Sequence, residues 1–163
     1  MARLKRYHYA LRRLHRIFTV RIPAGRCWSL KMAFSLDAHQ CAEHVAAFAA
    51  RVGEMREPPL GLEDVPHPLL EVLFDEVLAA PTTEELVAGA YAVAVAELRR
   101  ALERHLEQTN PLADHPTARL CRFALLEIRD MERFGTDALA DAEARERMAG
   151  WRDLLWNCLR GWP

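Results

Sequence analysis

The chain has 163 residues, 51% of them apolar and 28% charged, with a formal net charge of −1. That is long enough for one domain with a proper core, 1–163, and it excludes the disordered and collagenous classes. No apolar run reaches bilayer length, no apolar signal peptide opens the sequence, and Cys27, Cys41, Cys121 and Cys158 include no close pair, which argues against a membrane protein, a disulfide framework and a zinc knuckle.

Residues 2 to 22 form the first expected helix, with Leu4, Tyr7, Leu11, Leu14, Phe18 and Ile22 on one apolar face and Arg6, Arg12, Arg13 and Arg16 on the other. His8 and His15 lie along one edge of that stripe, within reach of a metal or of a hydrogen bond to a neighbouring helix. Residues 1 to 36 hold nine Lys and Arg and no acid, leaving 13 basic and 23 acidic side chains for the rest. The expectation is that this basic helix lies against acidic neighbours in the same fold. A nucleic-acid surface and an organelle-targeting peptide are the weaker alternatives.

After the break at Pro23, Ala24 and Gly25, a long second helix is predicted from Trp28 to Glu57, stopped by Pro58 and Pro59. Its seam is Ala38, Cys41, Val45, Phe48, Val52 and Met55. Asp37, Gln40 and His44 flank the seam on one side, where all three could face a shared interior site. His39 and Glu43 form an i,i+4 pair on a different face and read as a surface pair.

Residues 60 to 66 read as a loop, followed by a short helix from His67 to Ala80. Thr82 and Glu85 make a capping box that opens a long helix to Gln108, with Val87, Tyr91, Ala94, Leu98, Ala101 and His105 inward and Glu97 beside the seam. Asn110 and Pro111 end it, and Asp114 with Pro116 starts the next helix.

That helix, PTARLCRFALLEIRDMERFG, has Leu120, Ala124, Glu127, Met131 and Phe134 at spacings of four, three, four and three. A glutamate in an apolar stripe must be paired, protonated or bound to a cation. Asp130 follows one turn later, on nearly the same side. Gly135 is expected to end the helix and Thr136 to cap a last one, 137 to 160, with the stripe Ala144, Met148, Trp151, Leu155, Cys158 and Trp162 packing on the bundle. With no strand, no glycine-rich phosphate loop and no nucleotide or flavin signature, the expected fold is all-α: four or five long helices in an antiparallel bundle plus one short connecting helix.

Four segments carry a resemblance. Trp28 to Lys31 opens a long helix; RVGEMREPP, Arg51 to Pro59, ends it; NPLADHPTARL runs from Asn110 to Leu120; and LLEIRDMERFG from Leu125 to Gly135. In that order they resemble bacterial helical-bundle proteins of the ferritin-like superfamily. The resemblance implies a bundle whose helices hold two metal ions, iron or manganese, through a glutamate from each of two helices and a Glu-x-x-His from each of the other two.

Carried over, Glu127 stands where the final helix offers its glutamate, with Asp130 in place of the histidine; Gln40, Glu43 and His44 stand near the second helix's pair; Glu97 is the third helix's carboxylate; the first helix has no acid. The implied ligand set is therefore Glu127, Asp130, Glu97, His44 and Glu43, in a degenerate pattern.

Three functions follow as expectations. One is a metal-dependent oxidase or oxygenase. The second is a non-catalytic interaction or scaffold protein that has lost the site and works as a homo-oligomer or with a helical partner, binding an acidic partner through the basic first helix. The third is RNA binding through Arg12, Arg13 and Arg16. No membrane partner is expected. Nucleophilic catalysis has little support, because the cysteines read as reduced, mostly buried thiols of a cytoplasmic protein.

Overall fold

The computed structural model describes residues 1–55, 61–110, 112–139 and 148–159, and among these it is all-helical, with no strand. Helix α1 spans Ala2–Arg21, α2 Trp28–Glu54 and α3 Pro68–Ala79. One continuous helix follows, made of α4 (Thr83–Val87), a wide π-helical segment (Ala88–Val95) and α5 (Ala96–Gln108). Helix α6 is His115–Ala138 and α7 is Ala149–Cys158.

The local signals explain most starts. Thr82 accepts from the Glu85 amide while the Glu85 side chain accepts from the Thr82 amide, the reciprocal capping box anticipated from the sequence. Asp114 caps α6 by accepting from Thr117 N, with Pro116 in the first turn where a missing N–H costs nothing. His67 caps α3 in the same way through Leu69 N. The described part of the expected 60–66 loop, residues 61–66, is non-helical. Met55 closes α2, and the expected extension to Glu57 lies outside the described residues.

Four helices form the core bundle, and side-chain contacts fix their directions. Arg3 reaches Gln108 and Tyr7 reaches Ala101, so α1 opposes α5. His15 bonds the Ala38 carbonyl, so α1 opposes α2. Asp37 meets Tyr91 near the start of the α4–α5 helix, and Arg99 meets Glu132 on α6. The order is therefore up, down, down, up: α2 and the α4–α5 helix run parallel, which corrects the expected all-antiparallel bundle. A parallel pair requires a chain-long return, and α3 lies on that crossover.

Aromatic rings fill the centre. Tyr91 lies 5.3 Å from Phe18, 6.3 Å from Phe34 and 5.6 Å from Phe134, ring centre to ring centre. Two glycines make room for this layer. A Cβ built on Gly135 would overlap Tyr91 Cβ, and one on Gly89 would sit 2.5 Å from the Trp151 ring of α7. Gly135 is thus a contact residue inside α6, not its terminator, and the helix runs on to Ala138. Of the expected last helix, α7 is the described part, and Ala144 and Trp162 lie outside the described residues. Leu155 is buried, Trp151 is half-buried against Gly89, and Trp156 carries the Arg100 guanidinium 4.7 Å above its ring, so the aromatics here pack on the bundle.

The inward face of α6 is turned one position from the expected seam. Ala118, Cys121, Ala124, Leu125, Ile128, Met131 and Gly135 are buried, while Leu120, Glu127 and Phe134 stand half-buried at the edge. The segment FALLEI is apolar at too many positions to fix its own phase, and the large residues lose to small ones where α6 approaches Tyr91 closely.

No described helix is long and apolar enough to cross a membrane. The basic character of α1 is met largely inside the chain: Arg12 pairs with Glu63, and Arg13 pairs with Asp75 while lying over Tyr9 and Phe74.

Candidate functional site

Helix α2 packs along α1 over most of its length and meets α6 more sparsely, so a cleft opens between α2 and α6. Its floor and walls come from Glu43, His44 and Ala47 on α2 and from Pro116, Arg119, Leu120, Phe123, Leu126 and Glu127 on α6, enclosing about 590 Å³. A continuation of about 310 Å³ runs along Ala50, Arg51 and Glu54 opposite His115 and Arg119. Phe123 is 51% exposed and Leu126 60%, large apolar side chains open to solvent beside the cleft.

The two helices are pinned together at one end. Arg51 donates through Nη2 to Asp114 (2.8 Å) and through Nε to Thr117 Oγ1 (2.9 Å), tying the end of α2 to the cap of α6. Against the upward push of burial, hydrogen bonds from Thr117 and the Arg51 guanidinium hold the Asp114 carboxyl below its ordinary range.

His44 and Glu127 meet across the cleft. His44 is 8% exposed, and its Nε2 lies 2.7 Å from Glu127 Oε2. That approach is out of line with the ring N–H, so it is an ion-pair distance without a hydrogen bond, and Nε2 has no aligned partner. The Glu127 side chain itself is 36% exposed. The expected bare carboxylate in an apolar stripe is therefore a carboxylate at the cleft edge, partnered by a histidine.

The other expected ligands point elsewhere. Asp130 is exposed, its side chain 69% open, and pairs with Arg133. Glu97 is buried, as its place beside the seam suggested, but Arg104 (2.7 Å) and Arg100 (3.3 Å) of its own helix hold its carboxylate. Glu43 is exposed and pairs with His39, the surface pair foreseen. A two-ion centre draws on four helices; the five residues do not converge here, and among the described residues no group of three or more His, Cys, Asp or Glu is placed to hold a metal ion. The residues present therefore do not fit that centre. Of the histidines on α1, His15 Nδ1 is 2.9 Å from the Ala38 carbonyl, the hydrogen bond to a neighbouring helix weighed above. His8 is buried, and burial with the nearby Arg12 lowers its pKa.

Two further polar features sit behind the cleft. Asp37 is buried and accepts from Tyr91 Oη at 2.5 Å; burial raises its pKa to about 6 while the hydrogen bond pulls the other way. Burial also pushes the Tyr91 hydroxyl and the Cys41 thiol upward. Cys27 breaks the expected pattern of buried thiols: it is the exposed N-cap of α2, and hydrogen bonds from Ser29 and the Leu30 amide lower its pKa.

Of the cleft, sequence reasoning found His44, Glu127 and Glu43 and missed Phe123 and Leu126. The available signal was the surplus of apolar residues on α6: a helix with more large hydrophobes than one face can bury must show some of them. Compared with protein-family models, curated proteins and solved structures, the chain has no match.

Proposed function

We propose that this chain is a helical-bundle interaction protein of ferritin-like build whose working surface is the α2–α6 cleft. The observation that carries the reading is the cleft itself: a groove between two long antiparallel helices, walled by Leu120, Phe123 and Leu126 and open to solvent. A groove of that shape suits the apolar face of a helix, which presents anchors at i, i+3, i+4 and i+7. The up, down, down, up order with a crossover helix supports the ferritin-like part of the reading. The pairing of Arg12 and Arg13 with Glu63 and Asp75 moves the contact surface from α1, where Arg16 remains exposed, to α2 and α6.

The test is titration of a labelled, designed amphipathic helix of about 20 residues, long enough to follow the groove. Saturable binding that Leu120→Glu abolishes is expected. No binding up to roughly 100 µM, where even a weak docking site fills appreciably, would remove the reading.

One contact favours a second reading. His44 and Glu127 are within 2.7 Å of each other at the cleft edge, and a histidine with a carboxylate is a donor pair suited to a single iron or manganese ion. Elemental analysis of purified protein and of Glu127→Ala decides it: about one equivalent of metal, lost in the variant, supports the ion, and metal content unchanged by the substitution counts against it.

A further inference from the structure

The cleft has two unlike walls, and the difference says what fits it. The outer face of α6 carries Phe123 and Leu126 together with Arg119, whose guanidinium lies 4.8 Å above the Phe123 ring, and Arg122, all exposed. The outer face of α2 carries Ala46, Ala50 and Gly53, small and exposed, between the exposed carboxylates of Glu43 and Glu54. Nothing within 4 Å would meet a Cβ added at Gly53, so the α2 wall is open as well as low. One wall is bulky and basic, the other flat and acidic.

The walls also match in height. Glu43 and Ala47 line the cleft at the level of Phe123 and Leu126, and Ala50 and Glu54 at the level of Arg119. A two-fold axis running along the cleft, parallel to the helices, keeps every residue at its own height and exchanges left for right. It lays α6 of one copy on α2 of the other, antiparallel, with Phe123 over Ala46 and Ala47 and the Arg119 and Arg122 guanidinium groups beside Glu43 and Glu54. Bulk meets flatness and positive meets negative, twice over, as an isologous interface requires.

We propose that the occupant of the α2–α6 cleft is a second copy of this chain, in a two-fold dimer in which α6 of each copy packs on α2 of the other. The inference rests on the reading of the cleft as a docking surface and names its partner. Arg119 remains stacked on Phe123 and brings its charge with the ring into the contact. Small residues on α2 let the helices approach closely, so that the aromatic ring is covered on both faces.

The experiment is sedimentation equilibrium of the full chain, with Phe123→Glu and Leu126→Glu as variants, followed by disulfide trapping in a Cys27→Ser background. Wild type is expected at twice the 18.6 kDa chain mass in the tens of micromolar range. Either variant should raise the dissociation constant about tenfold or more, with the circular dichroism of the monomer unchanged, because both side chains are exposed. Mixing Ala50→Cys with Arg119→Cys protein should give a cross-linked heterodimer, whereas neither alone should.

A wild-type monomer up to roughly 500 µM, well past the range of a functional dimer, overturns the proposal. So does a dimer that both variants leave intact, or one that the cysteine pair fails to trap. The designed-helix titration separates the two ideas: a monomer that still binds the helix loses the dimer and keeps the docking cleft, and one that binds nothing loses both.

Discussion

Gly135 and Tyr91 are locked together: the α-carbon of the glycine in α6 stands so close to the Tyr91 Cβ that no side chain fits between them. The obstacle lies at the root of the tyrosine side chain, which cannot rotate away, so the backbone of α6 or of the π-helical segment must yield. Gly135→Ala should therefore destabilise the fold by about 1–3 kcal/mol, even though alanine favours a helix interior over glycine by about 1 kcal/mol. Urea unfolding reads this directly. An alanine variant as stable as wild type, or more so, would show that the approach is looser than described.

Asp37 makes stability depend on pH. Its folded pKa, about 6, is above the ordinary 3.8 because burial penalises the carboxylate. The folded state therefore binds the proton more tightly than the unfolded chain, and the stability this gives is complete below pH 3.8 and lost as pH rises through about 6. Asp37→Asn, a neutral side chain that still accepts from Tyr91, should gain on wild type across that window, up to about 3 kcal/mol at pH 7. The difference in melting temperature between the two proteins, followed from pH 4 to pH 8, should grow with pH. A constant difference would count against the shift.

The thiols should divide sharply. Cys27 is exposed and its pKa is lowered, whereas burial pushes Cys121 up to about 12 and Cys41 further. Thiolate fractions alone separate Cys27 from Cys121 by roughly a thousandfold at neutral pH. Native protein treated with a chromogenic disulfide should release one equivalent quickly, and Cys27→Ser should remove that phase. Rapid release from the serine variant would mean that a second thiol is open.

Arg51 joins α2 to the cap of α6 through Asp114 and Thr117. Its loss leaves a half-buried carboxylate with fewer donors, so Arg51→Ala should cost about 1–3 kcal/mol. Arg51→Lys should restore only part, since an ammonium cannot make the forked contact. Chemical denaturation of the three proteins ranks them, and a lysine variant equal to wild type would reduce the contact to simple charge.

How much of this was legible in sequence depends on how local the cause is. The Thr82–Glu85 box and the Asp114 cap are written within three residues each, and both are present where expected. The seams of α1 and of the 83–108 helix were also readable, down to Tyr91 and His105, because only one face of each is apolar enough to bury.

Helix α6 was misphased because Phe123 to Leu126 offers apolar residues in every direction, and the choice among them is made by Tyr91, 32 positions or more away in the chain. Glu127 moved to the edge as a result. Gly135 looked like a stop because a glycine's two uses, ending a helix and admitting a neighbour, are identical in one dimension. The direction of the α4–α5 helix left no mark on its own residues. It follows from the crossover that α3 lies on.

The π-helical stretch Ala88–Val95 gives the chain a counting rule. A wide turn consumes more residues for the same advance than an α turn does, so the helix beyond it is rotated relative to an unbroken one. Deleting a single residue there would restore α geometry and swing every side chain from Ala96 to Gln108 by about 100°. Leu98, Ala101 and Leu102 would leave the core, and arginines would turn into it. A change of composition in this stretch is absorbed locally, but a change of its length is felt along a whole helix, so it is the number of residues between Gly89 and Glu97 that the architecture holds fixed.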